Sequence, residues 1–319
     1  MRVTILEELL TTLDVRLHAF AVCEIQEGQA VRFDAMQAVV VHHVLAGRGV
    51  LHQHGDLPVE FGPRSIVVVA PGRAQSLSAG ATDGSAPLGS GMLLSDGLLK
   101  FDAHHGGGEL VTVCATITAT HGGGFGLFDH QTAPIVGDVS DAPEFNAAFD
   151  LLLAEVKAPR MGTRALTEGL MKQCLIMLLR RQLVRSEAHT PLLRALREPG
   201  LARSIAAVLA GPGAAHTLES LAREASMSRS VFAERFYVVY GQTPFAFVQT
   251  TRLRNAARLL IVSDMPVKAI AHSVGYASRS HFSRAFRSAF GQDPSGYRNA
   301  RAANDELDQP MVRPVVEAA

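Results

Sequence analysis

The chain has 319 residues, 47% of them hydrophobic and 19% charged, enough to bury a sizeable core and to divide into two or three domains. No apolar run approaches the roughly 18 residues a membrane span requires, and "MRVTILEELLTTLDV" places acids and threonines where a signal peptide needs a basic start, so a globular cytoplasmic protein is expected. The formal net charge of zero hides a division: residues 200–301 hold 13 Lys and Arg against 5 Asp and Glu, and the remaining 17 against 25 carry the opposite excess, which excludes a uniformly neutral surface and favours a polyanionic partner for the C-terminal third.

Residues 1 to about 135 predict a small N-terminal element followed by strands. "AVVVHHVLAG", "GVLHQH", "SIVVVAPG" and "ELVTVCATITAT" are β-branched runs set between Gly, Pro and Asp turns. "ATDGSAPLGSGMLLSDG", "HHGGGE" and "HGGGFG" read as loops, and the whole as a sandwich or open barrel. Helical spacing begins near Ala142, in "APEFNAAFDLLLAEV" and "RALTEGLMKQCLIMLLRRQLV". The second of these is apolar over more than one side, through Leu166, Leu170, Met171, Leu175, Met177, Leu178 and Leu179. A stripe packed on the barrel accounts for part of that, and a two-fold homodimer accounts for the surplus. "EAHTPLLRALREPG" reads as a link.

The basic region contains an internal repeat. Leu221 and Ala222 answer to Ile270 and Ala271 at an offset of 49; Phe232, Phe236, Gly241, Gln242, Pro244 and Phe247 answer to Phe282, Phe286, Gly291, Gln292, Pro294 and Tyr297 at an offset of 50. Each copy predicts a short helix, a tight turn, a second helix and a Gly-Gln-x-Pro exit, which is a helix-turn-helix unit. The units span about 217–241 and 266–291. Between them, Pro244 to Val262 makes a helix of 19 residues, about 28 Å long, near the roughly 34 Å of one duplex turn.

These residues resemble the AraC/XylS family of bacterial transcription regulators, through "SLAREASMSRSVFAERF", "GQTPFAFVQTTRLRNAARLL" and "PVKAIAHSVGYASRSHFSRAFRSAFGQDPSGYR". The N-terminal "HHVLAGRGVLHQHG" and "VEFGPRSIVVVAPGRAQSL" resemble the cupin-type sensor domain of one branch of that family. The resemblance implies sequence-specific binding to promoter DNA with one recognition helix per repeat. The fold expected is α+β and multidomain: a cupin-like barrel or sandwich over 1–140, central helices for linking or dimerisation over 141–190, an all-α domain with two helix-turn-helix repeats over 191–301, and a flexible tail over 302–319. Partners implied are major grooves of double-stranded DNA, an unknown small effector, a second copy of the chain, and RNA polymerase, with no membrane.

For DNA contact the exposed positions around the phenylalanines are Arg229, Ser230, Glu234 and Arg235 in the first copy and Ser278, Arg279, Ser280, His281, Arg284 and Arg287 in the second. Arg284 has the reach to grip guanine O6 and N7. Glu234 stands where the family often has arginine; it accepts from cytosine N4 or pairs with Arg235 or Arg229. Arg287 and Arg252 read as phosphate contacts or solvated charge. For the effector the candidates are His42, His43, His52, His54 and Gln75. His52 and His54 share a face of a strand, and of His42 and His43, which face opposite ways, one lines the interior.

Pro63 and Gln75 stand where the cupin pattern usually has an acid and a histidine, and the ligand set of a metal enzyme is incomplete, so no metal, cofactor or catalytic residue is assigned. Cys23, Cys114 and Cys174 are an odd, scattered trio, expected as buried free thiols. The alternative of another class is a metal-dependent cupin enzyme carrying a DNA-binding tether.

Overall fold

The structure, a computed structural model, describes residues 7, 9–36, 38–53, 55–79, 86–87, 91–93, 99–103, 109–121, 125–128, 131, 133–184 and 191–305. The chain divides into two compact units, one mainly of residues 15–119 and 131–189, the other mainly of residues 190–308.

The first unit is a two-sheet sandwich. Its larger sheet runs β13 (Ile135–Asp138), β6 (Ser65–Val69), β3 (Val39–Ala46), β11 (Leu110–His121), β1 (Leu13–Ile25), β10 (Leu99–Ala103), β9 (Gly91–Leu93), and β12 (Phe125–Gly126) pairs with β11. The smaller sheet runs β5 (Val59–Phe61), β4 (Gly49–Gln53), β7 (Gln75–Ser78), β2 (Ala30–Phe33), β8 (Ala86–Pro87). Strand β3 pairs antiparallel with β11 and β6, β13 with β6, β9 with β10, β4 with β5 and β7, and β2 with β7, whereas β10 runs parallel to β1 and β8 parallel to β2. Alternate residues of the two sheets meet in one core, with Ala21, Cys23, Val40, Val44, Val67 and Cys114 facing Val31, Phe33, Leu51 and Leu77.

Strand β3 is buried on both faces along Val39–Val44, so it reads as a continuous apolar run rather than an alternating one. Its outer face is covered by α1 (Pro143–Lys157), whose Phe145 and Phe149 lie tilted against His43. Helix α2 (Thr163–Val184) packs against α1, and Glu155 closes the turn between them by accepting from the Thr163 hydroxyl at 2.7 Å and pairing with Arg160. Glu168 ties α2 to the larger sheet by accepting from the Leu17 amide at 3.1 Å.

Several expectations need correction. The 81–97 segment, read as a loop, holds β8 and β9, and "HGGGFG" holds the end of β11 and β12. The "HHGGGE" loop lies outside the described residues except Glu109. The link before the basic region forms α3 (Pro191–Leu196), and Pro199 opens α4 (Pro199–Ala210), a helix whose pattern went unread because Pro199 and Gly200 look like a stop; proline suits the first turn equally well.

The second unit continues with α5 (Leu218–Ala225), α6 (Arg229–Tyr240), α7 (Pro244–Val262), α8 (Val267–Ser273), α9 (Arg279–Phe290) and α10 (Pro294–Asp305). Helix α10 thus runs past 302, where the tail was expected to begin; residues 306–319 lie outside the described residues. The two copies share the bonds of their turns and of the caps on α6 and α9. Ser226 (φ 58°) and Gly275 (φ 86°) take the left-handed conformation at the turn, and the next amide in each, Met227 or Tyr276, donates back to Ala222 or Ala271 at 2.9 Å. Ser228 and Ser278 cap α6 and α9, each accepting from the amide three residues on at 3.4 Å. Gly241 and Gly291 end those helices in the left-handed conformation.

An aromatic knot holds each second helix. Phe236 meets Phe232, Tyr240 and Phe247 at centroid distances of 5.3–5.6 Å, and Phe286 meets Phe282, Phe290 and Tyr297 at 4.5–5.6 Å. Helix α7 serves both copies, giving Phe247 to the first knot and Leu253, Ala256, Ala257 and Leu260 to the core of the second.

Because Phe286 is wholly buried and touches three rings, Phe286→Ala is expected to cost about 3–5 kcal/mol through the cavity it leaves. Urea denaturation of the full-length chain measures this, and a loss below about 1 kcal/mol would show that the knot does not hold α9.

Candidate nucleic-acid interface

Burial of Phe232 and Phe236, and of Phe282 and Phe286, fixes how α6 and α9 are rotated. On α9 this leaves Arg279, Ser280, His281, Arg284 and Arg287 exposed, with the Ser278 cap also exposed at the amino end. The His281 ring lies edge-on to Tyr276 at 5.5 Å, and Tyr276 donates to the Gln249 side chain at 2.6 Å, so the imidazole is positioned by the turn below it. On α6 the corresponding exposed residues are Arg229, Ser230, Glu234 and Arg235, joined by Val231, Tyr237 and Val238. The second surface is cationic and hydroxylated. The first is mixed, with an acid and three exposed apolar side chains.

Two arginines go elsewhere than expected. Arg235 pairs with Glu198 through two contacts, Nε to Oε2 at 2.9 Å and Nη2 to Oε1 at 2.7 Å, which holds its guanidinium above its already high range. Glu198 therefore takes the place sequence reasoning gave to Glu234. Arg252, read as a phosphate contact or solvated charge, instead donates to three carbonyls: Pro212 at 2.9 Å, Gly275 at 3.2 Å and Ala214 at 2.7 Å. Arg203 plays a related part in the first copy, donating to the Glu224 carbonyl at 2.7 Å and to the Ser226 hydroxyl at 3.0 Å. Arg203 and Arg252 are themselves 49 residues apart, the offset of the repeat. That spacing was the available signal for their role, and it lies upstream of the stretch compared in the sequence.

In the first unit the candidate effector residues separate. His42, on the inner face of the larger sheet, is fully buried; its Nδ1 lies 3.0 Å from the Cys114 sulfur and its ring meets Phe33 edge-on at 5.0 Å. Gln75 faces it from the smaller sheet, where it stands in register with Phe33 and Gln53. Within hydrogen-bonding distance the His42 Nε2, both amide atoms of Gln75 and the Gln53 oxygen find no partner in the fold, although the Gln75 amide lies close enough to the imidazole to favour its protonated form. His43 lies on the opposite face of β3 beneath α1, and half-buried His52 lies on the outer face of the smaller sheet, 3.2 Å from the Ser78 hydroxyl. Neither joins His42 and Gln75, and His54 lies outside the described residues. Gln53 was missed, although it shares its face with Leu51 by strand parity; the two flanking histidines drew attention to the wrong face.

Burial removes water from both central histidines and lowers each to about 4, the nearby Gln75 amide partly opposing this at His42 and the Ser65 backbone at His43. Burial also pushes the Cys114 thiol well above its ordinary range, with neighbouring Cys23 acting in the same direction. His42, His43 and Cys114 are therefore uncharged near neutral pH. Among the described residues no three His, Cys, Asp or Glu side chains gather to hold a metal ion, and no helix is long and apolar enough to cross a membrane.

Comparison with known proteins divides the chain in the same two parts. The cupin family matches residues 5–184 and a helix-turn-helix domain family matches residues 221–300. An AraC-like transcription regulator of Streptomyces antibioticus is 30% identical over 309 residues, 92% of this chain and 97% of that protein. The RCS-specific HTH-type transcriptional activator RclR of Escherichia coli is 34% identical over 189 residues, 58% of this chain and 66% of that one. Among solved structures, the DNA-binding domain of the global transcriptional factor AdpA, crystallised with a target DNA, is 33% identical, covers 34% of this chain and 97% of its own, and has a TM-score of 0.33.

The lowered histidines set a pH dependence. An imidazole at about 4 in the fold and 6.5 in the unfolded chain takes up its proton only on unfolding between those limits, so stability is full above pH 6.5 and is lost as pH falls toward 4. The expected slope in that window is up to about 1.4 kcal/mol per pH unit for each histidine. Urea midpoints of the wild type and of His43→Gln at pH 7, 6 and 5 measure it, and the variant is expected to show the shallower decline.

Proposed function

Because the chain belongs to the AraC-like transcription regulators, DNA-binding proteins that here join an N-terminal cupin domain to a helix-turn-helix region, we propose that it reads a bipartite promoter site with α9 and α6. Arg284 is the guanine contact, with Arg279, Ser280 and His281 beside it and Arg287 and the Ser278 end of α9 on phosphate. Arg229, Ser230 and Glu234 read the other half-site, with Glu234 accepting from a cytosine. Arg235 serves Glu198 instead. The observation that carries this reading is the exposed cationic face of α9, held outward by two phenylalanines that are fully buried.

In the same reading the cupin domain supplies the regulation. His42, Gln75 and Gln53 form the polar part of an effector site beside the neutral His42 imidazole and Cys114 thiol, where donors and acceptors without charge favour a small neutral molecule over an ion. Homodimerisation through α2 is supported by its outer stripe: Leu166 is exposed, and Leu170 and Met177 are half-buried, whereas Met171, Leu175, Leu178 and Leu179 are spent on the core. The protein acts where the promoter is, in the cytoplasm, and a contact with RNA polymerase completes the proposal. Nothing in the fold or the relatives favours the alternative of a cupin enzyme.

Arg284→Ala is expected to cost about 1–3 kcal/mol on the selected site and to relax preference at one base position. Arg287→Ala is expected to weaken selected and scrambled duplexes alike and to lower the salt slope by about one. Equal loss on both duplexes for Arg284→Ala would remove the guanine assignment. For the dimer, Leu170→Glu is expected to shift the full-length protein to the sedimentation of a single chain with its far-UV circular dichroism unchanged, and to abolish the concentration dependence of its melting temperature.

A further inference from the structure

The two copies hold their turns with arginines at equivalent positions, yet the two arginines do not do the same work. Arg203 bonds only within its own copy, to Glu224 and Ser226. Arg252 bonds to its own turn at Gly275 and, with its other nitrogens, to Pro212 and Ala214 in the loop that opens the first copy. All three acceptors are backbone carbonyls, so the bonds fix main chain to main chain across the copies.

The glycines at this junction show how closely the chains approach. A Cβ added to Gly213 would lie 2.1 Å from the Ser273 carbonyl oxygen. At Gly275, φ is already +86° and an added Cβ would lie 2.7 Å from the Gly213 oxygen and 2.9 Å from the Arg252 guanidinium. Loop 211–216 therefore sits against the turn between α8 and α9, and Arg252 lies across the seam. A planar guanidinium with five donors spans separated carbonyls in one plane, which a lysine ammonium does not. The contact joins the segment that precedes α5 to the turn that aims α9.

We propose that Arg252 is a positioning residue that locks the two recognition helices at one relative orientation and so sets the half-site spacing the protein accepts. The inference rests on the reading above, in which α6 and α9 enter separate half-sites. One added base pair turns a half-site by about a tenth of a turn around the duplex axis, which a rigid pair of helices rejects and a hinged pair follows.

The test uses full-length protein and duplexes it selects from a random library, remade with one base pair added to or removed from the spacer, and single half-site duplexes beside them. Wild type is expected to prefer the selected spacing. Arg252→Gln is expected to accept the neighbouring spacings nearly as well, with single half-site affinity and salt slope unchanged, and Arg252→Lys to fall between the two. Gly213→Ala, which wedges the same seam without touching the guanidinium, is expected to relax or shift the spacing as Arg252→Gln does. An unaltered spacing preference in folded Arg252→Gln and Gly213→Ala overturns the proposal. So does a uniform loss at every spacing with a salt slope lower by about one, which marks a phosphate contact, and so does loss of folding in both variants, which marks a residue needed for the fold alone. Selected duplexes with a single half-site would instead overturn the two-helix reading on which the proposal stands.

Discussion

A twelve-residue helix in water is too short to hold its shape unaided, and α6 and α9 are each that length. What fixes them is the burial of two phenylalanines four residues apart against an aromatic from the next helix, Phe247 in one case and Tyr297 in the other. Side chains four apart lie on one face, so burying both removes the helix's freedom to rotate about its own axis. Every exposed residue on those helices points where it does because of that constraint. The charges of α9 would be a solvated stripe of no particular direction if the rings beneath them were smaller or differently spaced.

The cupin domain rests on a different economy. Its central strand β3 is enclosed on both sides, by the small sheet within and by α1 without. Adjacent histidines consequently inherit unlike neighbours: His42 meets sulfur and amides, His43 meets two phenylalanine rings. Both lose their water and both stay neutral. Neutral donors and acceptors such as those around His42 discriminate by shape and by hydrogen-bond pattern rather than by sign, which is what the proposed effector site requires.

Much of this was legible in the sequence, and the limits have physical causes. The repeat gave its own units away because the same short-range rules act twice: a left-handed residue at the turn, a hydroxyl cap, paired rings, a glycine stop. Strands β3, β4, β6 and β11 were legible from β-branched runs, and parity fixed which faces they shared, whereas β1, β2, β10 and β13 went unread. Parity does not say what covers a face, so the burial of His43 beneath Phe149 had no local sign. Carbonyl acceptors carry no sequence signature at all. Arg252 finds its partners 23, 38 and 40 residues away on backbone atoms, and an arginine beside a basic helix looks the same whether it waits for phosphate or is already engaged. Likewise, the partner of Arg235 is Glu198, 37 residues earlier, rather than the adjacent Glu234.

Helix α7 belongs to both copies at once: its first turns carry Phe247 into one knot, and its later turns carry Leu253, Ala256, Ala257 and Leu260 into the other core. The repeat is thus a duplication of sequence but not of thermodynamic units. Melting either copy strips the shared helix and uncovers the interior of its twin, so the region has no half-folded state to rest in, unlike a solenoid whose repeats unzip from an end. Substitutions in one reader can drift only so far as the twin tolerates the loss of stability, and the pair evolves under a single stability threshold while retaining two separate surfaces on which specificity can change.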